Sequence, residues 1–296
     1  MAAKLMDRTA AAYLIAGVAL LFCLDTLSAT AEEPAAPPSA HLSASFEKHV
    51  FTLSDGKRMN CHQQTGQGPA LVLVPGTWGT IARFASLFEE LPAELPITVV
   101  ELCWQGGQVP PSLDLSIEEL ADDVLWVVKT LGIERFYMGG HSIGGMIAVE
   151  IAGREIPGLV GVIAMEGWTH HTVVQTAFDG VVSGKLTPEQ KALSQASRAQ
   201  GRAHLSDTEL DAIATIWKRW NGYECLSRSQ VPVLQIWGDR GKPRPDRKAL
   251  QIPDRPNIEI AWIAGASHSM LIEAPEKVAK AIKTFIDRTI SSDGIK

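Results

Sequence analysis

The residues with the most chemical promise lie in one short run, Gly140-His141-Ser142-Ile143-Gly144. A serine hydroxyl is a poor nucleophile until a base takes its proton. A G-x-S-x-G pattern has little meaning alone and gains it from context. Here an apolar stretch beginning at Phe136 leads into it, and the residues from Ile143 to Ala152 have helical spacing. A serine held on a sharp strand-to-helix bend needs small neighbours to avoid clashes. Its hydroxyl then stands clear at the positive end of a helix. Such a serine needs an imidazole, and the imidazole needs a carboxylate to fix its tautomer and stabilise its charged form. The carboxylates that end candidate strands are Glu166, in Ala164-Met165-Glu166-Gly167-Trp168, and Asp239, just past Gly238. Each also has a purely structural reading: a salt-bridged strand end for Glu166, and a turn cap for Asp239, a role Asp suits well.

The elements that must position these groups alternate in type. Residues 46–53 and 58–63 read as a hairpin around the turn Ser54-Asp55-Gly56. Continuous apolar runs at 70–74, 97–102, 159–165, 231–237 and 258–263 fit buried parallel strands. Residues 81–91 have helical spacing. Ser116 with Glu119 forms a capping box ahead of the apolar face Ala121, Val124, Leu125, Val128 and Leu131. A last helix over about 275–289 turns Val278, Ile282, Phe285 and Ile286 inward. This order predicts an α/β fold with a mostly parallel sheet covered by helices on both faces. One stretch, 169–229, lacks a convincing strand. Thr187 with Pro188 and Gln190, and Ser206 with Glu209, each open a helix in it. Leu210, Ile213, Ala214, Trp217 and Trp220 form an apolar stripe. We expect a helical cap over 169–229, inserted into a core of 46–168 and 230–296.

Gly140-His141-Ser142-Ile143-Gly144-Gly145 resembles the nucleophile elbow of the α/β-hydrolase family, and the strand-loop Val74-Pro75-Gly76-Thr77-Trp78 matches it in order and spacing. The resemblance runs from about residue 46 to the end of the chain. It implies the chain order Ser, acid, His, and so His268, after the final strand, as the base. His41, His49 and His62 come too early, His141 fits a structural role in the elbow, and His170, His171 and His204 fall in the cap. Many members place the acid three residues past the glycine that here is Gly238, where this chain has Gly241. Members similar to haloalkane dehalogenases carry it instead at the strand end that Glu166 occupies. Glu166 is therefore the expected acid and Asp239 the alternative. Those dehalogenases use an aspartate nucleophile, so Ser142 points away from dehalogenation and epoxide opening. The resemblance also implies an oxyanion hole from the amides of Ile143 and Thr77. Many members have His-Gly where this chain has Pro75-Gly76. Trp78, Trp104, Trp168 and Trp217 are placed where they could line a pocket or fill the core.

The implied activity is hydrolysis of a carboxylic ester or related acyl bond of a small molecule through an acyl-enzyme, with no metal or organic cofactor. The same triad also serves perhydrolases, carbon–carbon hydrolases and hydroxynitrile lyases, and a hydrolase-like domain can be kept for binding alone. The chain has 296 residues, 46% hydrophobic and 20% charged, with net charge -6. Without a basic block there is no reason to expect nucleic acid as a partner. Lys4 and Arg8, the uncharged stretch from Thr9 to Leu24 and the small residues Ser28-Ala29-Thr30-Ala31 fit a secretory signal peptide over 1–31, cleaved after Ala31. The apolar run is shorter than the roughly 20 residues of a spanning helix. A secreted or periplasmic protein, with no membrane span after cleavage, is expected. The Pro-rich stretch 32–45 reads as a linker. Cys61, Cys103 and Cys225 then allow at most one internal disulfide, or three buried thiols.

Overall fold

The computed structural model describes residues 45–184 and 186–293, all within the compact unit Pro38–Lys296. The expected signal peptide, and the linker apart from Ser45, lie outside the described residues. Eight strands form one sheet: β1 (Glu47–Thr52), β2 (Arg58–Gln64), β3 (Ala70–Val74), β4 (Ile97–Val100), β5 (Phe136–His141), β6 (Leu159–Met165), β7 (Val233–Gly238) and β8 (Ile258–Ile263). Their order is β1-β2-β4-β3-β5-β6-β7-β8. The β1–β2 and β2–β4 pairs are antiparallel, and every pair from β4 onward is parallel.

Both faces of the parallel strands are covered, which is why their sequences are continuously apolar rather than alternating. On β3, Val72 and Val74 enter one core while Leu71 and Leu73 enter the other. The first core is closed by α2 (Ile117–Thr130) and α3 (Ile143–Ala152). The second is closed by α1 (Ala85–Phe88), α8 (Met270–Glu273) and α9 (Pro275–Asp293), which supplies Val278, Ile282 and Phe285. Burying each such side chain is worth roughly 1.5–3 kcal/mol.

Between β6 and β7 stand α4 (Val173–Phe178), α5 (Pro188–Arg202), α6 (Asp207–Ile213) and α7 (Gly222–Arg228), with no strand among the described residues of the insertion. The helix expected over 81–91 is shorter. A 3-10 turn, Ile81–Phe84, leads into the single turn α1. The stripe from Leu210 to Trp220 is likewise broken: α6 ends at Ile213, Trp217 lies in the 3-10 turn Ile216–Arg219, and Trp220 is extended. The chain departs from β3 to β4 on one side and returns to β5 on the other. Open α/β sheets bind ligands in the crevice at the carboxyl ends of the strands where the order reverses in this way. The β3 and β5 ends carry the Pro75–Thr80 loop and Ser142.

Candidate active site

Ser142 sits between β5 and α3 with φ 57° and ψ -121°, a backbone conformation that costs an ordinary residue about 1–3 kcal/mol. Its amide donates to the Met165 carbonyl at 3.0 Å, and its carbonyl accepts from Met146 at 3.0 Å, so both flanks of the strained turn are tied down. The glycines are needed on contact grounds. A Cβ on Gly140 would overlap the Gly144 backbone, and one on Gly144 would overlap the Val74 carbonyl. Ile143 is the first residue of α3, where amides have no intrahelical acceptor.

Glu166 ends β6 in the left-handed region, φ 49°, and is fully buried. Oε1 accepts from the Gly238 amide at 2.9 Å and from Arg240 Nη1 at 2.8 Å. Oε2 accepts from Arg240 Nη2 at 2.7 Å and lies 3.4 Å from His268 Nδ1. Burial alone would raise the carboxyl's pKa. The bonds from His268 and Arg240, with the Arg240 charge, outweigh it and hold it at about 2. Arg240 is itself fixed: its Nε donates to the Val181 carbonyl at 3.1 Å, Nη1 donates to the Gly238 carbonyl, and its guanidinium lies 3.7 Å over the Phe178 ring. Nothing in the sequence marked Arg240, because its partner lies on a different strand.

His268 is anchored through its backbone. Its amide donates to the Val182 carbonyl at 3.1 Å, and its carbonyl accepts from His141 Nε2 at 2.7 Å. A carbonyl only accepts, so Nε2 of His141 carries the proton and Nδ1 is left as a buried bare lone pair. Burial, the neighbouring His268 and Arg83 push the His141 pKa well below its usual value. Burial likewise lowers the pKa of His268. Glu166 opposes this, while Arg240 and Arg83 add to it. The His268 ring lies 4.7 Å from His141 and 5.0 Å from Trp168, centroid to centroid.

Asp239 has a different job. Oδ1 accepts from the Gly241 and Gly265 amides at 2.9 and 2.7 Å, and Oδ2 lies 3.6 Å from Arg244. These contacts, against the effect of burial, lower its pKa while it ties two loops together. Glu166, not Asp239, is the carboxylate against His268.

The Pro75–Thr80 loop is held by two residues following β4. Buried Gln105 donates to the Gly76 carbonyl at 2.7 Å, and Trp104 Nε1 donates to the Thr77 carbonyl at 2.8 Å. In a trans peptide the N–H points opposite the preceding C=O, so the Thr77 amide faces away from Gln105. Gly76 lies against the nucleophile position: a Cβ there would be 3.3 Å from Ser142 Cβ. Of Trp78, Trp104, Trp168 and Trp217, Trp104 is wholly buried and braces this loop, while Trp168 lies tilted against the His268 ring, with Trp217 edge-on to Trp168 at 5.6 Å. Trp78 is half-buried beneath Arg202 of α5. The insertion therefore reaches the strand ends. Gly201 packs on the Trp78 carbonyl, and His204 Nε2 bonds the Trp104 carbonyl at 3.0 Å. The His170 and His171 rings are tilted against each other, their centroids 4.1 Å apart, and His170 Nδ1 pairs with the Thr172 hydroxyl.

Residues 71–281 match the alpha/beta hydrolase family. The chain belongs to that family. N-formylmaleamate deformylase of Pseudomonas putida is 28% identical over 275 residues, covering 80% of this chain and 96% of that protein. A protein of Agrobacterium fabrum named for carbamate hydrolysis is 29% identical over 106 residues, 35% of this chain and only 40% of its own length. The enol-lactonase of Burkholderia xenovorans superposes with TM-score 0.62 at 19% identity, over 81% of this chain and 100% of its own, and shows the shared fold.

Proposed function

We propose that this hydrolase is an exported enzyme that cleaves a carboxylic ester or related acyl bond with Ser142 as nucleophile, His268 as base and Glu166 as the acid orienting it. One observation carries the reading: the strained turn at Ser142 directly follows His141, whose ring bonds the His268 carbonyl, and the His268 imidazole is backed, through Nδ1, by a buried carboxylate. Ser142 Oγ attacks the acyl carbon as His268 Nε2 takes its proton. The carbonyl electron pair moves to oxygen, where the amides of Ile143 and Thr77 receive it. Collapse expels the alcohol, which takes the proton from His268. Water, deprotonated by His268, then frees Ser142. The helices of 169–229 act as the cap that bounds the acyl pocket, with Trp168 and Trp217 on its wall.

A second substrate class, an acyl group on nitrogen, is favoured by the similarity to a deformylase along nearly all of that protein's length. Both classes share the triad. Export rests on the signal-like 1–31 segment, and the exported protein should begin at Glu32.

The test is hydrolysis of short-to-long p-nitrophenyl esters by the mature chain, its Ser142→Ala, Glu166→Gln and Asp239→Asn variants. Ser142→Ala and Glu166→Gln should each lower kcat by at least about a hundredfold. Asp239→Asn should cost less than about tenfold, since an amide still accepts from Gly241 and Gly265. Full activity in Ser142→Ala would overturn the proposal, and a collapse confined to Asp239→Asn would overturn the acid assignment.

A further inference from the structure

The Pro75–Thr80 loop, which lies against Ser142, is held by two segments outside itself. The first is the turn after β4, which Gln105 closes by donating its amide to the Leu102 carbonyl at 2.7 Å. The Gln105 side chain then has one orientation. Its Oε1 accepts from the Leu102 amide at 2.9 Å, and a backbone amide only donates, so Nε2 is the end that meets the Gly76 carbonyl at 2.7 Å. That carbonyl takes a second bond from the Gly79 amide at 2.8 Å, so both of its lone pairs are used. Trp104 Nε1 holds the next carbonyl, that of Thr77, at 2.8 Å. Two consecutive carbonyls point at the turn, and the amides of Thr77 and Trp78 point the other way. Among the described residues neither amide meets a protein acceptor. The chain just past the loop is tied to the same turn. Buried Glu101 accepts from the Ile81 amide at 2.9 Å and from Asn60 Nδ2 at 2.9 Å, and Asn60 Nδ2 also reaches the Gly106 carbonyl at 3.3 Å.

The second segment is the C-terminal end of α5. His204, two residues beyond the helix, bonds through Nε2 to the Trp104 carbonyl at 3.0 Å. A carbonyl only accepts, so Nε2 carries a proton whether the ring is neutral or charged, and the bond needs no titration. Gly201 packs on Trp78 so closely that a Cβ would overlap the Trp78 carbonyl. The Arg202 guanidinium lies 5.5 Å over the Trp78 ring. Trp104 is thus bonded on one side to the insertion and on the other to the loop. An amide stabilises an oxyanion best where it is fixed before the charge forms. Here Trp104 and Gln105 fix the loop, and α5 holds Trp104.

We propose that Trp104 and Gln105 are positioning residues for the Thr77 oxyanion donor, and that the C-terminal end of α5 holds them and the loop in place, so that the insertion sets the rate of acyl transfer as well as bounding the pocket. This rests on the serine-hydrolase reading, in which Thr77 receives the oxyanion.

The test compares the unmutated chain with three variants on p-nitrophenyl acetate, butyrate and octanoate. Gln105→Met and His204→Leu each remove one donor, and Gly201→Ala forces α5 off Trp78. Acylation and deacylation both pass through an oxyanion. Each variant should therefore lower kcat about tenfold or more, by the same factor for all three esters, with KM within about threefold. A helix that only walls the pocket would change KM, by a factor that varies with acyl length. Gln105→Glu gives a separate readout. It can donate to the Gly76 carbonyl only while protonated, and burial raises a carboxyl pKa. Its kcat should fall as pH rises through that pKa, a limb absent from the unmutated chain. Phosphonylation of Ser142 by a fluorophosphonate, whose phosphoryl oxygen needs the same donor, is followed in parallel and should slow by a similar factor in Gln105→Met. Unchanged kcat in Gln105→Met, an unchanged pH profile in Gln105→Glu, or losses in His204→Leu and Gly201→Ala that fall on KM and depend on acyl length would each overturn the proposal. If the unmutated chain is active, Ser142→Ala is not and these variants match the unmutated chain, the hydrolase reading stands and the proposal alone falls. If the unmutated chain neither cleaves an ester nor is phosphonylated, both fall.

Discussion

Glu166 divides its two oxygens among the Gly238 amide, Arg240 and His268, and the division governs the imidazole. Arg240 takes the short, two-pronged contact and leaves His268 the long one. Burial, Arg240 and Arg83 lower the His268 pKa against the pull of Glu166, with His141 packed on the other side. The imidazole is then neutral, and able to act as base, below the usual histidine value of 6.5. Arg240→Met removes one positive charge and releases Glu166 toward His268, and both effects favour the protonated ring. The acid limb of the kcat/KM profile for a neutral ester should move to higher pH, and an unmoved limb would show that Arg240 is scaffold alone. Stability responds with its own sign. The Glu166 pKa is depressed in the folded state to about 2 from 4.5, so its contribution is whole above pH 4.5 and is lost as pH falls through 2. Arg240→Met should cost about 3–5 kcal/mol at neutral pH, since it strands a buried carboxylate, and denaturant melts would read it. Sequence alone could weigh Glu166 against Asp239 only by position. It could not show that the Asp239 oxygen is occupied by the Gly241 and Gly265 amides, nor that Arg240 lies across the strand gap from Glu166.

Elements set by local chemistry were legible, and those set by packing were not. The capping boxes of Ser116 with Glu119, Thr187 with Gln190, and Ser206 with Glu209 all form where the sequence places them, because each closes within four residues. The turn at Ser142 was legible for the same reason: Gly140 and Gly144 leave room that only the absence of a Cβ provides. The short α4 and α7 were not anticipated. Each is under eight residues and is held by contacts outside itself, as when Cys225 of α7 meets Glu150 of α3 at 3.0 Å. The break within 81–91 has a similar cause, since Glu101, on a distant segment, captures the Ile81 amide and sets the turn. The elbow argument makes a prediction for α3. In Gly144→Ala the new methyl group would meet the backbone of Val74 and Pro75, which carry the strand below and cannot rotate aside. The variant should lose about 1–3 kcal/mol by thermal melt. It should also lose at least tenfold in kcat, because a small displacement of Ser142 from attack geometry is expensive. A melt and a rate both equal to wild type would mean that the elbow has slack the contacts deny.

Across the whole molecule the sheet brings together residues far apart in the chain, and this is where sequence reading stops. The succession of strands and helices along the chain followed from alternating patterns, but not the juxtaposition of the β6 end, the turn after β7 and the loop after β8 that assembles Glu166, Arg240 and His268. The cysteines pose the same problem. Cys61, Cys103 and Cys225 leave pairing open by count alone. Cys61 on β2, Cys103 after β4 and Cys225 on α7 are all free and buried, and none bridges another. Burial, aided by nearby carboxylates, pushes each thiol's pKa up to about 12, so the thiolate that would attack a disulfide or an oxidant is scarce at neutral pH. Stability should then come from the two apolar cores and not from a crosslink among these three. A protein beginning at Glu32 should, when folded, release no thiol to a water-soluble aromatic disulfide reagent, should release Cys61, Cys103 and Cys225 when denatured without reductant, and should keep its Tm in excess dithiothreitol. A Tm that falls on reduction, or fewer than three thiols in the denatured mature chain, would mean that a bridge forms which this packing excludes.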